Sequence, residues 1–350
     1  MSSRPRLAQI DLIKGAAVLG VIALHGLHGD ELHDAWSALH FGQAVPLFLV
    51  LMATNAASSL GRRGDPPLRA LWSRSYLAGR VERLVVPFAA VWLASLAIGI
   101  VHGGLHFGPL TAVGVVPLSG PGNYFVTIAF EFVLVFPVLL WAFRRAPLLT
   151  IAGCFAVDVA FELVAPDVFS GAYPYGYDAA IVRYFGQIAL GLWIWRHPRI
   201  SDPANRWILA LAVPSVGYLV AYHEDPAAFD WLRRDFGTTT NFMAAFWAAA
   251  LVLAGLRLLP RRAVRPPVVA LAEVGRASWH VFLVQMVWFA VVRPRGLDSL
   301  PLHALASCAI GYALFRLMSR PAFAARVRRG TQRLAGPRST VEGFGTPGTP

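Results

Sequence analysis

Cysteine, lysine and charge of either sign are scarce in this chain. Of 350 residues only two are cysteines, Cys154 and Cys308, each inside an apolar run. That excludes a disulfide framework and any Cys-x-x-Cys metal or redox motif. Lys14 is the one lysine. Charged residues make up 14% of the chain against 56% hydrophobic, with a mean hydropathy of +0.55. Such a balance excludes a soluble globular enzyme, whose water-facing surface needs more charge. Acidic residues number 19 against 31 basic ones, a net charge of +12. No basic stripe interleaved with aromatics accompanies that excess outside short connectors, so nucleic acid is not the expected partner. No internal repeat of the transporter kind stands out either.

Apolar runs are what the chain does have. A bilayer core of about 30 Å takes roughly 20 apolar helical residues, fewer where flanking side chains snorkel or the helix tilts. Ten runs qualify: Leu12 to Leu27, Ala44 to Leu60, Leu84 to His102, Tyr124 to Phe143, Leu148 to Val164, Ile181 to Trp195, Trp207 to Tyr222, Asn241 to Leu256, Leu271 to Val292 and Leu302 to Met318. Backbone groups in lipid must bond to one another, and the runs lack the alternation of an outer-membrane barrel. The expected fold is an all-α polytopic bundle of about ten spans.

Cytoplasmic loops collect Arg and Lys. With the N-terminus inside, 25 of the 31 basic residues fall on the inner side, while Asp30, Glu31 and Asp34, then Glu224, Asp225, Asp230 and Asp235, fall outside. An even number of spans follows, with both termini cytoplasmic and the plasma (inner) membrane as the expected location. The first run has a basic start, as a signal peptide does, but it carries His25 and no small-residue cleavage site, so it is read as a retained helix. Residues 1–330 form the expected membrane domain. Residues 331–350, rich in Gly, Pro, Ser and Thr from Gly336 onward, form an expected disordered cytoplasmic tail.

An ionisable group in a span costs at least about 2.5 to 3.5 kcal/mol at mid-membrane, so it faces a cavity or a partner. His25 follows Lys14 by eleven residues, about 16 Å of helix, which places it beyond mid-depth. A neutral imidazole, with an ordinary pKa near 6.5, has the chemistry of a general base; a packing histidine bonded to a carbonyl is the alternative. Arg80 and Arg83 share a helical face at the inner surface, and two guanidinium forks suit a phosphate-bearing ligand. Positive-inside charge explains Arg62, Arg63, Arg69 and Arg74, and is the alternative for the pair. His28, His33 and His40 with their acidic neighbours match no metal motif and read as a wet loop, so no metal is expected. Glu131 needs a partner and is a candidate to orient His25 or an acceptor hydroxyl. Asp158 and Glu162, at i and i+4, read as a polar seam paired with Arg183 rather than a proton relay. Trp193, Trp195 and Trp207 read as interfacial aromatics.

These residues resemble a known pattern. IDLIKGAAVLGVIALHG, with Asp11, Lys14, Gly15 and His25, is similar to the opening signature of the membrane-bound acyltransferase 3 family. VPLFLVL from Val45, RVERLVVPF from Arg80, NYFVTIAFEFVLVFP from Asn123, VRYFGQIALGLWIWR from Val182 and GRASWHVFLVQ from Gly275 follow in the family's order. The resemblance covers most of residues 9 to 290. Met52 and Ala53 depart from it where many members have Ser-Gly, Asn123 and Phe125 where His and Trp are usual, and Gln285 where the late helix commonly has histidine.

The resemblance implies acyl transfer from a cytosolic acyl-CoA, with acetyl as the expected acyl group, to a hydroxyl of a carbohydrate or lipid-linked glycan. Under that implication His25 is the base with Glu131 orienting it, and Arg80 and Arg83, helped by Lys14, hold the donor. The route is open between direct attack and a histidine acyl-enzyme, as is the oligomeric state. Two rival readings are a proton-coupled transporter or flippase of a glycan-like substrate, and an inactive acyltransferase-like partner.

Overall fold

The computed structural model describes residues 8–61, 68–103, 105, 111, 115–118, 120–169, 174–225, 241–297, 299–321, 323 and 325. The expected tail, Arg62, Arg63, Asp230 and Asp235 lie outside them. Among the described residues there is no strand. The main helices are α1 (Ala8–Gly26), α2 (Ala44–Gly61), α3 (Arg74–His102), α4 (Tyr124–Arg145), α5 (Pro147–Phe169), α6 (Phe185–Arg196), α7 (Arg206–Glu224), α8 (Asn241–Leu258), α9 (Pro266–Arg276), α10 (Ser278–Val292) and α11 (Leu300–Met318).

Seven of these helices are long and apolar enough to cross a membrane, or eight if α9 and α10 make one bent span. The ten apolar runs therefore all become helix, but not all become full spans. α6 has only 12 residues after a 3-10 turn at Ile181–Tyr184. Leu271 to Val292, read as one span, breaks at Ala277, where α9 and α10 meet at 76°. The chain is an all-α, multi-pass membrane protein.

Lipid gives helices no hydrophobic reason to associate, so packing and interhelical hydrogen bonds of about 0.6 to 2 kcal/mol each hold the bundle. α1 packs along α9, α2 along α6, α7 along α8, and α10 along α11. Val50, Leu51, Ile188, Leu190 and Phe136 are wholly buried between them. Thr54 Oγ1 donates to the Gly191 carbonyl at 2.9 Å, tying α2 to α6. Gln9 Nε2 donates to the carbonyls of Leu256 (2.7 Å) and Leu259 (3.0 Å), tying α1 to α8.

The α1–α9 contact explains part of the opening signature. A Cβ on Gly15 would stand 2.3 Å from the Leu271 carbonyl oxygen, and one on Gly275 would stand 1.7 Å from that of Asp11. Only glycine lets the two backbones come so close.

Asp158 and Glu162 do form a polar seam. Arg183, 2% exposed, reaches Glu162 (Nε to Oε1, 3.4 Å) and Asp178 (Nη1 to Oδ1, 2.9 Å), and its guanidinium lies 3.7 Å over the Tyr177 ring. Tyr177 donates to Glu162 Oε2 at 2.5 Å. Asp158 instead accepts the N–H groups of Phe185 (3.0 Å) and Gly186 (2.8 Å) at the start of α6, where orphan donors need an acceptor.

Candidate functional site

A cavity of about 860 Å³ opens among α1, α2, α3, α4, α9, α10 and α11. Its charged lining consists of Lys14, Arg80, Arg83, Arg276 and one carboxylate, Glu82. Four cations against one anion give the lining a net positive charge, with Arg276 also paired to Asp11 and Glu273 outside it. Lys14, Arg80 and Arg83, three residues singled out from the sequence, thus line one cavity.

Arg80 and Arg83 are not arranged as a plain α-helical pair. Val81–Val85 is a π-helical stretch in which each N–H bonds one residue further back. Pro87 accounts for it: proline has no N–H for the Arg83 carbonyl and its ring crowds that carbonyl, so the helix widens just before it. Tyr76 supports Arg80, whose guanidinium lies 5.1 Å from the ring centroid. Trp279 Nε1 donates to the Leu84 carbonyl at 3.2 Å and ties this stretch to α10.

Phe125 and Phe282 line the cavity and meet edge to face at 5.1 Å. Phe282 also lies near Gly122. Gly122 has φ +86°, a left-handed conformation that favours glycine. The point where its Cβ would stand is 3.5 Å from each of Phe282 Cε2, His25 Nε2 and Gln285 Nε2. His25 Nε2 therefore points towards Gly122, near Phe282, a residue of the cavity lining. It makes an edge contact with Phe289 at 6.2 Å, and Arg293 donates to its backbone carbonyl, closing the end of α1. α1 is unbroken from Lys14 to His25, about 16 Å along its axis.

Glu131 is the site residue that the structure does not bring to His25. Its Oε2 accepts the Ile181 N–H at 2.9 Å, so it secures the turn that leads into α6. Nor do the loop histidines gather. His28 caps with Glu31, His40 Nε2 meets the Ala35 carbonyl at 2.6 Å, and His33 and Trp36 stack on opposite sides of the pairing with His223, both at 4.0 Å. Among the described residues no three His, Cys, Asp or Glu side chains are placed to hold a metal.

Arg276, Trp279, His280 and Phe282 line the cavity but were not singled out from the sequence. Within α10 the i, i+3 spacing of Trp279 and Phe282 was the available signal; Arg276 lies beyond the break at Ala277. Met52 and Phe125 line the same cavity. Asn123 Nδ2 donates to the Gly120 carbonyl at 2.8 Å and Gln285 Nε2 to that of Pro121 at 3.4 Å, so both shape the 120–123 segment beneath His25. Of the five departures from the family pattern, Met52 and Phe125 line the cavity and Asn123 and Gln285 bond the 120–123 segment, while Ala53 packs against Gly191 of α6.

The model of the family described as "Acyltransferase domain" matches residues 7–319. No curated protein and no solved structure matches the chain. The match takes in the whole helical bundle, the cationic cavity and His25, and on it the chain belongs to the acyltransferase 3 family, as a membrane acyltransferase.

Proposed function

We propose that this protein moves an acyl group, acetyl in the first instance, from acyl-CoA to a hydroxyl of a carbohydrate or lipid-linked glycan at the plasma membrane. One observation carries the reading: a cavity lined by Lys14, Arg80, Arg83 and Arg276 is also lined by Phe282, and a ring-edge carbon of Phe282 and His25 Nε2 both lie 3.5 Å from where a Gly122 Cβ would stand. The cations suit the phosphates of the donor, and guanidinium forks hold such groups bidentately. The thioester arm then runs along α1 towards His25, and the Phe282 ring turns aside to admit it.

In the reaction, the acceptor O–H gives its proton to His25 Nε2 as its oxygen attacks the thioester carbonyl. The C–S bond breaks, an ester remains on the acceptor, and His25 returns the proton to the departing thiolate. General-base assistance supplies about 10² to 10⁴ in rate, and holding both reactants in place supplies more. Glu131, bonded to Ile181, supports this site only through the packing of α4.

Labelled acetyl-CoA and an envelope glycolipid extract, mixed with the purified chain in detergent, test the reading. Label moving to the extract supports it, because detergent offers no second compartment and a transporter has nothing to do there. Label staying on the donor, from a protein that moves glycolipid in vesicles, overturns it.

A further inference from the structure

We infer that the acceptor carries an acidic group, phosphate above all, and that Arg293 and Arg295 hold it at the outer end of α1 while His25 takes the proton of a hydroxyl on the same molecule. The inference takes the reaction from the proposed acyl transfer and the contact from the rim around His25.

Arg293 and Arg295 form a 3-10 turn directly after α10, with Pro294 between them. Against the inner-side bias of the chain's arginines, they stand at the His25 end of α1, about 16 Å along the helix from Lys14. Arg293 Nη2 donates to the His25 carbonyl. Its guanidinium carbon lies 5.4 Å from the centroid of the Phe289 ring, and the centre of the His25 imidazole lies 6.2 Å from that same centroid. Arg295 Nη1 donates to the Val291 carbonyl of α10, and its Nη2 meets His102 Nδ1 at 3.3 Å at the end of α3. The pair thus spans the rim where α1, α3 and α10 end. Both arginines and His102 are exposed, and His25, Gly26 and Leu27 are partly exposed where Val21, Ile22 and Ala23 before them are buried.

Charge decides what this rim receives. The carbonyl end of a helix carries about half an elementary negative charge, so the ends of α1 and α10 leave much of the charge of two guanidinium groups uncompensated. His102 brings no negative charge. Among the described residues neither arginine has a carboxylate within ion-pair distance. A guanidinium has five N–H donors, of which these contacts use one on Arg293 and two on Arg295, and the rest are left for a partner from outside the chain. Planar forks of this kind match the oxygens of a phosphate. A lipid headgroup offers the same phosphate, but the rim borders His25, the group that the acceptor hydroxyl must reach. Holding the acceptor by its charge beside that imidazole presents the hydroxyl in place.

The test compares α-D-glucose 1-phosphate with methyl α-D-glucoside as acceptor probes for the full chain in phosphatidylcholine nanodiscs, with acetyl-CoA as donor. The two share the same ring hydroxyls and differ in the phosphate. The wild type is expected to favour the phosphate by at least about tenfold in kcat/KM, an advantage that shrinks as salt rises. Arg295→Gln, which removes the charge, should bring the ratio close to one with coenzyme A affinity unchanged. Arg295→Lys, which keeps the charge without the fork, should fall between. Binding of the two probes by ligand-observed NMR, with coenzyme A filling the cationic cavity, gives the same comparison without turnover. If no probe is acylated but the binding preference exists and vanishes in Arg295→Gln, the transfer reading fails and the anion contact stands. An unchanged ratio in Arg295→Gln, or a wild type indifferent to the phosphate in binding, overturns the inference. An Arg295→Gln protein that loses affinity for phosphatidylglycerol while treating the two sugars as the wild type does marks a headgroup site, and overturns it too. Should Arg295→Gln fail to fold, His102→Glu, which gives Arg295 a carboxylate of its own, must lower the preference, and an unaltered preference there also overturns it.

Discussion

Arg276 Nε stands 3.5 Å from Asp11 Oδ2, joining the last turn of α9 to the first turn of α1. Beside this ion pair the Gly275 backbone rests on the Asp11 carbonyl. Gly275→Ala places a methyl group where 1.7 Å separates it from that oxygen, so the helices must part. Overpacking of this kind costs about 1 to 3 kcal/mol. The expected outcome is a clearly lowered melting temperature in detergent and weaker donor binding, since Lys14 and Arg276 both line the cavity. A melting curve superimposable on the wild type would contradict the close contact.

Arg80→Ala and Arg83→Ala should each weaken acetyl-CoA binding. A hydrogen bond to a charged group contributes about 1.5 to 3 kcal/mol, roughly tenfold or more in Kd. Wild-type affinity should also fall as salt rises, and fall less steeply in either variant. Calorimetric titration at two salt concentrations checks both points, and salt-independent affinity would count against a donor held by its phosphates.

Arg183 and Glu162 are each almost wholly buried, so removing one partner strands the other charge. Breaking such a pair costs about 3 to 5 kcal/mol. Arg183→Met should therefore express poorly or melt far below the wild type. Adding Glu162→Gln should recover part of the loss, because it removes the stranded charge. Thermal unfolding of the purified variants decides, and equal loss in single and double variants would argue against the coupling.

Gly122→Ala introduces a Cβ at a positive φ, a strain of about 1 to 2 kcal/mol. The methyl also occupies the point shared by His25, Gln285 and Phe282. Acyl transfer should fall at least tenfold while acetyl-CoA affinity holds, measured as turnover and as Kd on the same preparation. Loss of donor affinity alone would place Gly122 in the donor cavity instead.

Much of this was legible in the sequence for a definite reason. In lipid an apolar run has to be helical, so every expected run appears as helix, and the i, i+4 spacing of Asp158 and Glu162 already put them on one face. Spans proved harder than helices. Leu271 to Val292 is evenly apolar, and nothing in its hydropathy marks the 76° turn at Ala277. Pro87 did carry a signal for the widened helix between Arg80 and Arg83, because a proline's missing donor acts four residues upstream. Partner choice across the fold was not readable. Glu131 met the Ile181 N–H rather than His25, and Gln285 met the 120–123 segment, because these contacts depend on how helices distant in sequence pack.

If His25 deprotonates a hydroxyl drawn up to a donor held in the cationic cavity, losing its imidazole must slow transfer without loosening the donor. Transfer of label from acetyl-CoA to envelope glycolipid by purified wild type and His25→Ala, with acetyl-CoA affinity measured on both, tests it most directly. His25→Ala should bind the donor as the wild type does and transfer at least about 10²-fold more slowly. Equal transfer by the two proteins would contradict it.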